Sequence, residues 1–379
     1  MKKIAMILHT NGIEYDDRIR KEILTVMKLH PDIKFKIFAI LDNKMDEHGE
    51  FVSDYGVEYY VPLLKSRLKY KQGTHIYRKA WDFYKTVNSL LKDFDAIWCA
   101  DIDPVFFIAM SHKRKVWDLH EIPQIFLKNR LTKCVLKYLM SKCKVIVHAN
   151  AQRIRYIDEV GALSNKNSQC VIRNYPSFND EDGYTDETFD RFKKWLGQDK
   201  CVYLQGATGP KRCDLESILG IMAIPNLKVV VVGLFDEKLK SKLKKQFGDD
   251  FEKRVFFTGL VRQQMTPHYI KACNASLVLY REDRANNKYC EPNRMFQSII
   301  NECPVVVGCN PPMKDLVEQH NYGIALPTDG SNVDDISKGL EKVLSNHDTI
   351  VESIKKNRHN ILWDSQDEEF KRIIDKLFA

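Results

Sequence analysis

The sequence predicts an α/β protein of two Rossmann-like, doubly wound domains facing across a cleft, and three observations carry that prediction. Short β-branched runs alternate with longer amphipathic segments in two successive blocks, the pattern of strand–helix–strand units on parallel sheets. Runs such as Val229-Val230-Val231-Val232 lack polar alternation, as strands buried on both faces do. Between the blocks, residues 176–199 open with PSFNDEDGYTDETFD, acidic and poor in large aliphatics, which suits a linker with a short helix. With 379 residues and 44% hydrophobic content the chain can bury two cores. The domains are therefore expected at 1–175 and 200–360, on either side of that linker.

In the first block the predicted strands are 4–8, 35–41, 57–61, 96–100, 115–118 and 145–148. In the second they are 202–205, 229–232, 255–258, 276–280, 305–307 and 324–326. Ligands of such folds bind outside the carboxyl ends of the strands, so the residues just after each run are the ones to examine.

Bulk composition narrows the function classes. No run approaches the roughly 20 apolar residues of a membrane helix. The apolar run that begins at Ile4 stops at His9 and acidic residues follow, which reads as a first buried strand rather than a signal sequence. Ten cysteines without a CxxC pair read as free thiols of a reducing compartment, and no Cys/His spacing suggests a structural metal. The formal net charge of +8 leaves two readings open: a solvated lysine-rich surface, or attraction to an anionic membrane or lipid-phosphate acceptor. No module that interleaves aromatic and basic residues is present, so no nucleic-acid partner is expected. The expected location is cytoplasmic, at the inner face of a membrane if there is peripheral contact. A helix over 74–91 with Tyr77, Trp81 and Tyr84, and the lysine-bearing stretch 64–71, are the segments for such contact, with an ordinary solvated helix face as the plainer reading.

Residues 289–308 read YCEPNRMFQSIINECPVVVG: a polar loop, a helix, then a buried strand. Pro292 suits a first helical turn, and Glu291, Asn293 and Arg294 surround a helix start whose free N–H groups and dipole suit a phosphate-bearing ligand.

This stretch resembles the donor-binding element of retaining glycosyltransferases of the GT-B fold, family 4, in the branch written SPNKLFEYLAAGKPVV. Pro292-Asn293-Arg294-Met295-Phe296-Gln297 lies on P-N-K-L-F-E, and Cys303-Pro304-Val305-Val306-Val307 on the G-K-P-V-V end. The departure is at the family's E-x7-E pair, where this chain has Tyr289 and Gln297, with Glu291 displaced between them. Further stretches resemble the family in the same order along the chain. They are His9-Thr10-Asn11-Gly12 with the helix start from Asp16, and Val116-Trp117-Asp118-Leu119-His120-Glu121 on Y-D-x-H-E. Then come Val171-Ile172-Arg173-Asn174-Tyr175-Pro176 on V-I-x-N-x-P, Tyr203-Leu204-Gln205-Gly206 on Y-Q-G, and Val255-Phe256-Phe257-Thr258-Gly259 on V-x-F-x-G.

The resemblance implies transfer of a hexose-type sugar from a UDP- or GDP-linked donor, with retention and without a metal or other cofactor. The acceptor would be a glycan or a lipid-linked species in bacterial surface polysaccharide synthesis. It implies His120 beside the donor sugar, Arg212, with Lys211 next to it, as the cation at the leaving diphosphate, and Glu291 or Gln297 on the sugar hydroxyls. Gly206, Gly259, Tyr280, Asn293 and Arg294 complete the donor side, and Asn11, Gly12, Asp16 and Asp103 the acceptor side. Asp16 also reads as an ordinary N-cap, and Pro176 as a hinge residue that restricts Tyr175. The tail 361–379 resembles the family's last helix, which packs back on the first domain. The altered glutamate pair keeps a second class open, a non-catalytic GT-B-like partner or glycan-binding protein. A nucleotide-sugar 2-epimerase shares the fold, but its paired acidic and histidine motifs are absent.

Overall fold

Fourteen strands among the described residues form two sheets. In the computed structural model these residues are 1–8, 13, 16–40, 49–62, 76–177, 186–206 and 212–379, without the side chains of 76 and 77. The chain divides into two compact units, Met1–Arg173 with Gln366–Ala379, and Asn174–Ser365.

The first unit holds β1 (Lys2–Leu8), β2 (Ile33–Ala39), β3 (Gly49–Val52), β4 (Glu58–Val61), β5 (Ala96–Ala100), β6 (Arg114–Leu119), β7 (Val145–His148) and β8 (Ser168–Val171). They lie in the order β3, β4, β2, β1, β5, β6, β7, β8. Every pairing is parallel except β3 with β4. The second unit holds β9 (Cys201–Gln205), β10 (Lys228–Val232), β11 (Val255–Gly259), β12 (Ala275–Val278), β13 (Val305–Val307) and β14 (Gly323–Ala325). Their order is β11, β10, β9, β12, β13, β14, all parallel. In each sheet the first strand has later strands on both sides. The topological switch points therefore lie beside β1 and β9, where helices leave toward opposite faces.

All twelve predicted strands are present, with ends shifted by one or two residues. The predicted 276–280 strand stops at Val278, which places Tyr280 in the loop beyond. Sequence reading missed β3 and β8. Gly-Glu-Phe-Val alternates along an edge, and Ser-Gln-Cys-Val lies at the other edge with one fully buried position, so neither carries an apolar run. Helices cover the sheets because their apolar faces match. In the first unit Phe83 and Phe107 meet edge to face at 5.5 Å above buried Trp117. In the second, Phe296 meets Tyr175 edge to face at 4.9 Å. The helix Asp367–Phe378 packs on the helix Asp17–Leu29 and on β6, β7 and β8, so the last helix belongs to the first unit. All ten cysteines are free thiols, seven of them buried as packing residues.

The helix expected over 74–91 is described as Ile76–Val87 followed by a 3-10 turn, Asn88–Asp93. Tyr84 is buried against Phe107 at 5.1 Å, whereas Trp81, which meets Phe106 at 5.2 Å, stays 36% exposed. The stretch 64–71 lies outside the described residues. Among the described residues no helix is long and apolar enough to cross a membrane.

β14 depends on one glycine. Gly323 has φ +157°, and a Cβ there would stand 1.8 Å from the carbonyl oxygen of Val305 on the paired strand. Gly323→Ala should destabilise the second unit by roughly 3 kcal/mol or more. A melting temperature unchanged by calorimetry would refute that account of β14.

Candidate functional site

Each unit gathers charged side chains at the carboxyl edge of its sheet. In the first unit the helix Asp17–Leu29 follows β1 and starts from Asp16, whose Oδ1 accepts from the Ile19 N–H at 3.2 Å. Asp16 therefore acts as an N-cap. Arg18 and Glu22, one turn apart, are both buried. Arg18 donates from Nε (3.1 Å) and Nη2 (2.9 Å) to the two oxygens of Asp118 on β6, and from Nη1 to the Ile172 carbonyl at 2.9 Å. Glu22 lies 2.9 Å from Arg18 Nε. His120 Nε2 stands 2.8 Å from Asp118 Oδ2.

The electrostatics follow from this packing. Burial opposes charge on every member, yet Arg18 and then His120 hold Asp118 well below the usual carboxylate range. Burial and the neighbouring Asp118 charge push Glu22 well above its ordinary value. Burial pulls on Arg18 too, but Asp118 and Glu22 outweigh it and raise the guanidinium further. Asp118 is thus an ionised acceptor, so His120 carries its hydrogen on Nε2 and presents Nδ1 as the remaining ring nitrogen. Arg153, on the helix Ala151–Glu159 after β7, donates to the His120 carbonyl and fixes that loop. Asp101, directly after β5, is held at φ +60° by its N–H on the Asp118 carbonyl (2.7 Å) and by Trp117 Nε1 on its own carbonyl (2.6 Å). Burial pushes its carboxyl up to about 6 against the pull of His120. Asp103 is half-buried two residues on.

Glu22, Asp118 and His120 are the one group among the described residues whose ligand atoms could hold a metal, all within 4.8 Å of one another. The Arg18 guanidinium already supplies the cation there, with bonds to both Asp118 oxygens, so the donor set fits an internal ion pair better than a metal.

In the second unit the switch point lies between β9 and β12. Arg294, on the helix Asn293–Ile300, reaches into that fork and is only 5% exposed. Its Nη2 donates to the Leu279 carbonyl past β12 at 3.0 Å, and its Nη1 lies 3.5 Å from the Gln205 carbonyl that ends β9. The same guanidinium stacks on the Tyr280 ring at 4.6 Å, and Arg212 meets that ring at 5.7 Å. One tyrosine thus carries two cations. Asn310, fully buried, donates from Nδ2 to the carbonyls of Tyr280 (3.2 Å) and Asn287 (3.1 Å) and fixes the loop between them.

Two helices begin here, Asp214–Met222 and Asn293–Ile300, and neither is capped by a side-chain hydrogen bond. Asn293 is exposed and Gln297, one turn on, is half-buried. Ser298 faces inward instead, donating to the Arg294 carbonyl at 2.8 Å. Glu291 is half-buried just before the helix. At Gly206, after β9, a Cβ would meet the Leu234 carbonyl oxygen at 2.4 Å, which is reason enough for glycine. Gly259, at φ +69°, accepts from the Gly233 N–H at 3.0 Å. Asn11, Gly12 and Lys211 lie outside the described residues.

The structure brings Arg212, Tyr280 and Arg294 together in the second unit, and joins His120 to Asp118 in the first. Sequence reading left Arg18, Asp118, Asp214 and Asn310 without roles. The readable signal was a lone aspartate inside the apolar strand β6, and Arg18 and Glu22 at i, i+4 beside Ile19 and Ile23.

Two doubly wound units of this kind in one chain, the first completed by the last helix, make the fold GT-B. Among solved structures, sucrose-phosphate synthase from Thermosynechococcus elongatus matches with a TM-score of 0.77 at 12% identity over all of both chains. HepE from Anabaena in complex with UDP-glucose gives 0.71 at 13% identity, over 99% of this chain and 100% of that one. An α,α-trehalose-phosphate synthase (UDP-forming) from Burkholderia xenovorans, in complex with glucose-6-phosphate, gives 0.69 at 9% identity over all of both chains. At such identities the likeness is one of fold. No family model and no curated protein matches the chain by sequence.

Burial pushes the Asp214 carboxyl up to about 6, with Arg294 and Arg212 pulling the other way. The unfolded chain keeps the ordinary value near 3.8, so between about pH 4 and pH 6 the native state holds a proton that the unfolded state has lost. Stability from this group is therefore present at the acid end of that window and falls as pH rises, by at most about 3 kcal/mol. Asp214→Asn should raise the melting temperature at pH 8 and leave it nearly unchanged at pH 4. Equal shifts at both pH values would show that burial does not act on Asp214 in this way.

Proposed function

We propose that the protein is a retaining glycosyltransferase that moves a hexose from a UDP- or GDP-linked donor to a glycan or lipid-linked acceptor in surface polysaccharide synthesis. The observation that carries the reading is the pair of guanidinium groups on Tyr280 at the switch point of the second sheet, between two helix starts without side-chain caps. A leaving nucleoside diphosphate is the ligand such positive charge suits. The GT-B fold supports it. So do two structural neighbours, HepE in complex with UDP-glucose and a trehalose-phosphate synthase in complex with glucose-6-phosphate.

The chemistry needs no protein nucleophile. The bond from the anomeric carbon to the diphosphate oxygen breaks with its electron pair staying on the diphosphate. The acceptor oxygen bonds to the same face, and its proton passes to the departing phosphate oxygen. Half-buried Arg212 is assigned the contact with that diphosphate. Arg294, fixed on the Leu279 carbonyl, adds its charge through the Tyr280 ring. Asn293 and Gln297 are assigned phosphate and sugar hydroxyls, with Glu291 beside them. A glutamine amide bridges two hydroxyls, although it brings no negative charge to an oxocarbenium-like transition state. His120, oriented by Asp118, is assigned a sugar hydroxyl.

Gln297 and Tyr289 in place of the family's glutamates favour a second reading, a GT-B-like protein without transferase activity. A thermal-shift screen against UDP, GDP, ADP, CMP and dTDP without added metal separates the two. A true donor base at about 100 times its dissociation constant adds roughly 2.7 kcal/mol, several degrees of melting temperature. A shift with one diphosphate supports the transferase; silence across all five favours the second reading.

If Arg212 bears the diphosphate, Arg212→Ala should lose about 2–4 kcal/mol of transition-state stabilisation. His120→Ala should keep nucleotide binding and lose transfer. Rates within twofold of the parent for either variant would remove that residue from the mechanism.

A further inference from the structure

The net charge of this protein is uneven along its sequence. The chain carries 59 Lys and Arg against 51 Asp and Glu. Between Glu121 and Asp158 there are eight basic residues and no acid, so outside that stretch the two signs balance at 51 each. The whole excess of +8 falls on one segment of the first unit.

At the centre of that segment is the helix Arg130–Ser141, capped at its start by Asn129, whose Oδ1 accepts from the Thr132 N–H at 3.0 Å. Its inner face, Leu136, Leu139 and Met140, is buried in the core. Its outer face is also apolar. Leu131 is 75% exposed, Val135 41% and Tyr138 54%, at i, i+4 and i+7 along one line. Beside that line runs a second, Arg130, Lys133 and Lys137, and Lys142 lies over the Tyr138 ring at 4.8 Å. Two short helical segments packed on this helix, Val105–Met110 and Gln124–Phe126, add exposed Met110 and Ile125. Among the described residues no carboxylate pairs with Arg130, Lys133 or Lys137.

We infer that this helix face docks the protein on an anionic lipid bilayer. A ridge of Leu, Val and Tyr projecting into solvent with a row of cations beside it matches an interfacial helix in both respects. The apolar line enters the headgroup boundary, the lysine and arginine stems reach up to the phosphates, and the tyrosine sits at the interface. A leucine three-quarters exposed needs a surface that deforms around it, which favours lipid over a flat protein partner. Leu131, Val135 and Tyr138 projecting from the same face would find nothing to bury against on a phosphate backbone, which disfavours nucleic acid. This helix is distinct from the stretches 64–71 and 74–91, for which the sequence left membrane contact open. This inference does not rest on the transferase reading.

The full-length protein is to be sedimented with vesicles of phosphatidylcholine containing phosphatidylglycerol and, in parallel, of phosphatidylcholine alone. Binding to the anionic vesicles, weakening as salt rises, is expected. Leu131→Glu with Val135→Glu should weaken it about tenfold or more, from lost apolar insertion. Arg130→Glu with Lys137→Glu should weaken it and flatten the salt dependence. All four positions are solvent-exposed, so thermal unfolding should match the parent. Failure to sediment, equal binding to neutral vesicles, or binding that neither pair alters would overturn the inference. So would retention on a duplex DNA oligonucleotide that anionic vesicles cannot displace.

Discussion

Buried guanidinium groups hold the carboxyl edges of both sheets, and the loops that leave those edges depend on them. A parallel sheet leaves the carbonyls at its strand ends pointing at departing loops, and each needs a donor. Arg294 serves Leu279 and lies against Gln205 across the fork of the second sheet, while Arg18 joins Asp118 on β6 to the carbonyl of Ile172 after β8. Arg254 does the same at a helix end, donating to the carbonyls of Ile221, Met222, Ile224 and Leu227. A planar fork with five donors on a charge that cannot be removed suits this task where lysine would not. Arg294, whose hydrogen bonds go to carbonyls at the carboxyl edge of the second sheet, leaves its positive potential there.

The same packing accounts for what the sequence showed and what it hid. Strands of a doubly wound sheet are apolar on both faces, so Val229–Val232 and Val305–Val307 announce themselves. An edge strand such as Gly49–Val52 has little to bury and makes no such signal. Tyr280, read as a strand residue, proved to be a loop residue whose ring brings Arg212 and Arg294 together. Cation–π contact depends on where two distant segments meet, and spacing along the chain carries no trace of it. Arg18 passed without a role because burial of a whole ion-pair network is decided by the strand it faces. Asp118 was the better clue: an acid inside an apolar strand demands a buried partner.

The motif-bearing stretches were legible because they combine backbone geometry with chemistry. Gly206 is a glycine for the close approach of the Leu234 carbonyl, and that requirement alone would preserve it. The Asn293–Ile300 helix places Arg294, Met295 and Phe296 inward and Asn293 outward, so packing and ligand access are divided among its faces.

The division of the chain into units has a consequence for its synthesis. The second unit is continuous from Asn174 to Ser365, so it can complete its core as soon as that stretch has emerged. The first unit, though made earlier, waits for Gln366–Ala379 to cover the helix Asp17–Leu29 and β6 to β8. Closing that gap joins segments separated by nearly the whole chain, a slow non-local step. During translation the apolar surface under the last helix stays open while the second unit is made, so the earlier half is the one exposed longest to wrong contacts.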